Sequence, residues 1–127
     1  MSSFTNYLED RLLNHIFRNT ASTAPTAVYM ALFTVTPSDT GGGTEVTGGG
    51  YARQAITFGA PSGGIIANTG AVAFTASGAS FGAVVAIAIF DASSAGNMLA
   101  WDGITSATVA DGDTLNFPIG NVTIQLT

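Results

Sequence analysis

Gly78-Ala79-Ser80-Phe81-Gly82 has the G-x-S-x-G spacing that puts a nucleophilic serine on a sharp strand-to-helix turn. That chemistry needs a helix after the serine and a histidine base downstream. Here Ala83 to Phe90 follows, an apolar run of strand length, and the one histidine, His15, lies far upstream. The stretch therefore reads as a turn of small residues between strands. His15 borders an apolar helix face, where a packing or interface role is the ordinary one. With no cysteine and no second histidine, a metal would lack its usual nitrogen and sulfur ligands.

Other chemistry-bearing residues resolve in the same way. Asp111-Gly112-Asp113 with Asn116 resembles part of a calcium loop but lacks the bidentate glutamate and its spacing. Aspartates bonding their own turn are the simpler reading. Asp91 and Asp102 could pair for glycoside hydrolysis, yet nothing singles them out. Asn121-Val122-Thr123 is a chance glycosylation sequon. Trp101, Tyr29 and Tyr51 could line a carbohydrate platform, although single aromatics in strands more commonly pack in a core. No catalytic, cofactor or metal site is expected.

Two triple-glycine runs, Gly41–Gly43 and Gly48–Gly50, flank Thr44-Glu45-Val46-Thr47. A phosphate-cradling loop would need a lysine, and the chain has none. These glycines also precede a strand instead of a helix, so no helix dipole points at a ligand. Residues 36–50 make a connection that is long for a small domain. The expectation is that Thr40–Gly50 is mobile in the free protein and that residues 44–47 add to a neighbour's sheet edge.

The chain that must position these groups is one domain of 127 residues. It is 46% hydrophobic, so it can build a core, but only 9% charged, against about 25% in ordinary soluble domains. The cations are Arg11, Arg18 and Arg53, and the net charge is −5. Nucleic acid and anionic membranes are poor partners for such a surface. Glu9 and Asp10 interrupt what would be the apolar core of a secretion signal, so none is expected. Absent cysteine fits folding in a reducing cytoplasm.

Residues 4–18 read as one helix, with Phe4, Leu8, Leu12 and Ile16 in a row and Leu13 and Phe17 widening the apolar arc. Ser2 or Ser3 can cap it. From residue 26 the pattern is β, with strands expected at 26–35, 51–58, 64–68, 71–76, 83–91, 97–102, 106–110, 113–118 and 120–126. The expected fold is mainly β: an antiparallel β-sandwich, Ig-like or jelly-roll-like, over 26–127, preceded by an N-terminal helical arm over 1–25. Ala83–Phe90 is its central strand, buried on both faces.

The segments YLEDRLLNHIF (7–17), AVYMALFTVTPSD (27–39), GTEVTGGGYARQAITF (43–58), AIAIFDASSAGNMLAW (86–101) and DGDTLNFPIGNVTIQL (111–126) together resemble a family of short bacteriophage virion proteins. Its members are labelled tail-fibre-like or head-decoration proteins. The resemblance implies a non-enzymatic structural part of the particle, made in the bacterial host cytoplasm and residing in the virion.

The first placement expected from it is a capsid decoration or cement protein on the major capsid protein. The alternative is a tail or fibre-associated subunit, with a host-carbohydrate-binding adhesin module as a further reading. Few charges leave little electrostatic guard against self-association, so a homo-oligomer of three-fold or six-fold symmetry is expected. Leu13, Phe17, Thr44, Glu45, Val46 and Thr47 are its candidate interface residues.

Overall fold

Two apolar strands without proline or charge, Val28–Val35 and Gly82–Phe90, lie at the middle of this fold. A computed structural model describes residues 3–126. Gly82–Phe90 (β7) pairs along most of its length with Met98–Val109 (β8) on one side, and on the other with Val28–Val35 (β2), in antiparallel register from Tyr29 opposite Phe90 to Phe33 opposite Ala86. Around them a six-stranded sheet runs in the order β1 (Ser3–Phe4), β8 (Met98–Val109), β7, β2, β3 (Thr44–Glu45), with β4 (Gln54–Ile56) also on β2. Two ribbons complete the β structure. One pairs β5 (Ile65–Ala67) with β10 (Thr123–Gln125), the other β6 (Val72–Thr75) with β9 (Thr114–Phe117). The described strand pairs are antiparallel throughout. The fold is mainly β and sandwich-like with one N-terminal helix, as expected.

The main core lies between the large sheet and the ribbons. Met30 and Leu32 from β2, Ile87 and Ile89 from β7, Phe74 from β6 and Phe117 from β9 meet there. Burying each such side chain contributes about 1.5–3 kcal/mol. The second face of the sheet carries Ala31, Ala86 and Ala88 under Phe33, Phe90 and Met98, with Val85 and Trp101 packed beside them. Period-two alternation distributes these residues, and the alanines keep the second face shallow. Ala83 is exposed and Val85 half-buried, so burial on both faces of β7 is continuous only from Ala86 to Phe90, a shorter stretch than expected.

β8 merges the two strands expected at 97–102 and 106–110. Ala86 pairs with Gly103 and Val84 with Ala107, so Ile104, Thr105 and Ser106 bulge opposite one residue of β7. Ile104 and Thr105 are β-branched and favour strand, and no obligatory turn separates the halves. At 51–58 the strand shrinks to Gln54–Ile56, because Tyr51 and Arg53 turn to meet Glu45. At 120–126 only Thr123–Gln125 remain strand, since Gly120 and Asn121 close a turn on Asn68 and Pro118.

α1 (Asn6–Phe17) starts later than 4–18 predicts. Phe4 is drawn into β1 opposite Ala100. The cap is Thr5, whose hydroxyl accepts from Leu8 N–H and donates to the Met98 carbonyl at 2.6 Å. Ser3 lies in β1, and Ser2 falls outside the described residues.

The expected mobile loop is packed against its own chain. Phe33 pairs with Glu45 and Val35 with Thr44, and Val46 N–H donates to the Leu32 carbonyl at 2.9 Å. Val46 itself is 3% exposed, inside the main core. Gly43 and Gly49 take left-handed backbone, at φ +71° and +60°, where a Cβ would lie 2.6 Å from the Val35 carbonyl and 2.7 Å from that of Ala79. These glycines allow close approach to the chain's own backbone. The cost of ordering them is offset by Val46 burial and by the ladder.

Candidate functional site

Two surfaces stand out. The first is α1. None of its residues is buried, and its principal neighbour in the body is β8. Leu8 turns inward to the main core. Leu13, Ile16 and Phe17 stand 55%, 65% and 80% exposed, with Leu12 and Tyr7 also exposed. The spacing of four between Leu13 and Phe17, and between Leu12 and Ile16, gathers them into one broad stripe.

The helix is held from its other side. Arg11 donates to the Tyr7 hydroxyl at 2.7 Å, to Ser22 and to the Thr23 carbonyl, pinning the return segment. His15 Nδ1 lies 3.0 Å from the Thr20 carbonyl oxygen. Asn19 takes left-handed backbone at φ 54°, and the Thr20 N–H returns to the Asn14 carbonyl, ending the helix.

The second surface is a cleft of about 590 Å³ on the outer face of the sheet. Its floor is Phe33, Phe90 and Met98, and its rim joins Asn6 and Tyr7 of α1, Asp39 to Gly43, Glu45 and Asn97. The Phe33 and Phe90 rings stack at 6.2 Å with 2° between planes. Asp39 links the walls: its carbonyl accepts from Asn6 N–H at 2.9 Å, and its carboxylate accepts from the Trp101 indole at 3.0 Å.

Beside the cleft sits a polar hub. Arg53 donates twice to Glu45, and its Nη1 reaches the Ala92 and Ala95 carbonyls at 3.0 and 2.7 Å. Its guanidinium lies 3.7 Å from the Phe90 ring centroid. The Tyr51 hydroxyl donates to Glu45 at 2.7 Å and accepts from Leu32 N–H. Burial pushes the Glu45 carboxyl up, but the Arg53 and Tyr51 hydrogen bonds and the Arg53 charge outweigh it and hold it below its ordinary value. Burial and the Glu45 hydrogen bond push the Tyr51 phenol well above the usual range.

The residues weighed for chemistry are tied into turns. The Ser80 hydroxyl donates to the Val109 carbonyl at 2.7 Å and accepts from Gly82 N–H. Asp111 accepts from Gly78 N–H and Asp113 from Ala110 N–H. Asp91 accepts from both the backbone and side-chain nitrogens of Asn97. Among the described residues, no three His, Asp or Glu side chains gather as metal ligands.

The three aromatics of the carbohydrate reading are separated. Tyr51 stacks on Phe74 in the main core, whereas cross-strand register puts Tyr29 and Trp101 on the outer face. Of the candidate interface residues, Leu13 and Phe17 lie on the exposed stripe. Thr44 and Glu45 form β3, paired with β2 of their own chain, Val46 is core, and Thr47 is exposed. Sequence reasoning missed the Glu45–Arg53 pair, although one non-helical arginine in a chain so poor in charge was a signal that it needs a partner.

The chain matches the family model described as Podophage GP4 fiber I protein gp80 over residues 3–125. No curated protein matches it. Of the two virion placements, that family favours the tail or fibre subunit over capsid decoration. An apolar helix face left open on a charge-poor β domain accords with a part made for assembly, and the match spans nearly all of the chain: it belongs to the podophage fibre protein family, a family of phage virion structural proteins.

Proposed function

We propose that the protein is a non-enzymatic fibre subunit of the virion that uses α1 to dock onto a neighbouring copy of itself. The observation that carries this is the exposure of Leu13, Ile16 and Phe17 on a helix that buries none of its own residues. Contiguous apolar surface of that kind marks an interaction site on a soluble domain. The sparse charge of the chain favours the same outcome, since little repulsion opposes contact between copies.

Structural work explains the rest of the site. The Arg53–Glu45–Tyr51 hub ties β3 and the 91–97 turn to the sheet, and α1 lies against β8 with its apolar stripe facing outward. Immunogold labelling of particles, heads against tails, tests the fibre placement. Sedimentation of the wild type against Leu13→Asp tests the docking face. Label confined to heads would overturn the placement, and unchanged association would overturn the role of α1.

A further inference from the structure

β8 is 12 residues long, and only its first part is covered on the outer side. β1 pairs there with Ala100 and Trp101, and the Thr5 hydroxyl takes the Met98 and Leu99 carbonyls. From Ile104 to Thr108, β7 runs along the inner side and, among the described residues, no strand lies along the other. No backbone group of a described turn or loop bonds to that stretch either. Main-chain N–H and C=O groups left open along an edge are a template for one more strand.

This edge carries none of the side chains that ordinarily guard one. Ile104-Thr105-Ser106-Ala107-Thr108 has no lysine, no proline and no charge, and the neighbouring aspartates, Asp102 and Asp111, lie beyond its ends. Ile104 turns in to the main core, while Thr105, Ser106 and Thr108 are exposed. The bulge turns the strand locally, but the exposed side chains it carries are small.

The same chemistry selects the partner. In an antiparallel pair about a two-fold axis the edge meets its own sequence, so a charged edge repels its copy and a hydroxyl-bearing edge does not. Hydroxyl pairs of this kind already join strands within the domain. Thr75 stands opposite Thr114 across β6 and β9, their hydroxyls 2.8 Å apart, and those of Thr57 and Thr69 are 2.9 Å apart.

We propose that residues 104–108 of β8 pair antiparallel with the same residues of a second copy, centred on Ser106, so that two six-stranded sheets join edge to edge. The contact is separate from α1, which follows β1 at the opposite end of β8. A subunit holding both contacts reaches two neighbours, and copies can extend into a chain.

The test is amide hydrogen exchange at two protein concentrations in the Leu13→Asp background, where the α1 stripe is spoiled. Amides within 104–108 should exchange several-fold more slowly at the higher concentration. Ser106→Lys and Thr105→Lys each bring two ammonium groups together across the axis and should remove that slowing. Both positions are exposed, so the melting temperature should stay that of the background. Ser106→Cys places a lone thiol in a chain without cysteine, and mild oxidation should link it into a disulfide dimer. Ser62→Cys, on an exposed turn of the ribbon, should stay monomeric.

Exchange at 104–108 that does not depend on concentration overturns the proposal. So does slowing that survives both lysine variants, or a Ser106→Cys dimer no more abundant than that of Ser62→Cys. The docking of α1 is read separately, from the wild type against Leu13→Asp, so either contact can fail without the other.

Discussion

Arg53 and Glu45 meet through two parallel hydrogen bonds of 2.9 Å, with side chains only 8% and 26% exposed. The pair joins residues eight apart in sequence across the second glycine run. A bidentate guanidinium–carboxylate contact in a partly dry setting has strong geometric preference. Removing one partner leaves the other poorly solvated. Arg53→Ala should therefore destabilise the fold by about 2–4 kcal/mol, read as a lower urea midpoint. A midpoint unchanged from wild type would mean that the pair is incidental.

The same pair sets an acid dependence. The carboxyl of Glu45 is held below its ordinary value of 4.5. Its contribution is present above that value and is lost as pH falls through the lower folded value. Stability should stay level from neutral pH to about 5 and decline below 4.5, and Glu45→Gln should remove part of that decline. The raised Tyr51 phenol acts at the other end, with its contribution lost as pH rises beyond 10. In an ultraviolet titration Tyr51 should ionise after its ordinary value is passed, and Tyr51→Phe should remove that late component.

Leu13→Asp and Phe17→Asp should weaken self-association while changing monomer stability by no more than about 0.5 kcal/mol, because both side chains already face solvent. Sedimentation velocity gives the first quantity and chemical denaturation the second. A large loss of monomer stability would show that the stripe packs within its own subunit.

Replacing residues 41–50 by a short Gly-Ser turn should cost several kcal/mol. The deletion removes Val46 from the core and Glu45 from Arg53, losses of about 1.5–3 kcal/mol for the valine alone. A melting temperature equal to the wild type would show that this segment adds nothing to the stability of its own domain.

Asn68 is 2% exposed, donates to the Gly70 and Pro118 carbonyls and accepts from Val122 N–H. Asn68→Ala strands those backbone groups and should cost about 2–4 kcal/mol. Hydrogen exchange should rise first at Val122, whose amide loses its acceptor.

Much of the fold was legible in the sequence because its determinants are local. Phe4 to Phe17 repeats at helical spacing, β2 and β7 are apolar runs of strand length, and Gly, Ser and Asp mark the turns. Mainly β architecture and one N-terminal helix follow from those patterns. The absence of lysine and cysteine likewise removed whole chemistries without reference to any contact.

Tertiary structure decided what local pattern leaves open. Thr44-Glu45-Val46-Thr47 looks the same whether it serves its own sheet or a neighbour's. The choice depends on Phe33 and Val35 offering an edge and on Arg53 waiting beside Glu45. Thr5 became the cap instead of a serine because the Met98 and Leu99 carbonyls, more than ninety residues away, take its hydroxyl. The cleft was invisible for the same reason, since Asn6, Asp39, Glu45 and Asn97 come from four separate segments. Short-range spacing reports which face a side chain prefers, and only the closure of long loops brings such faces together.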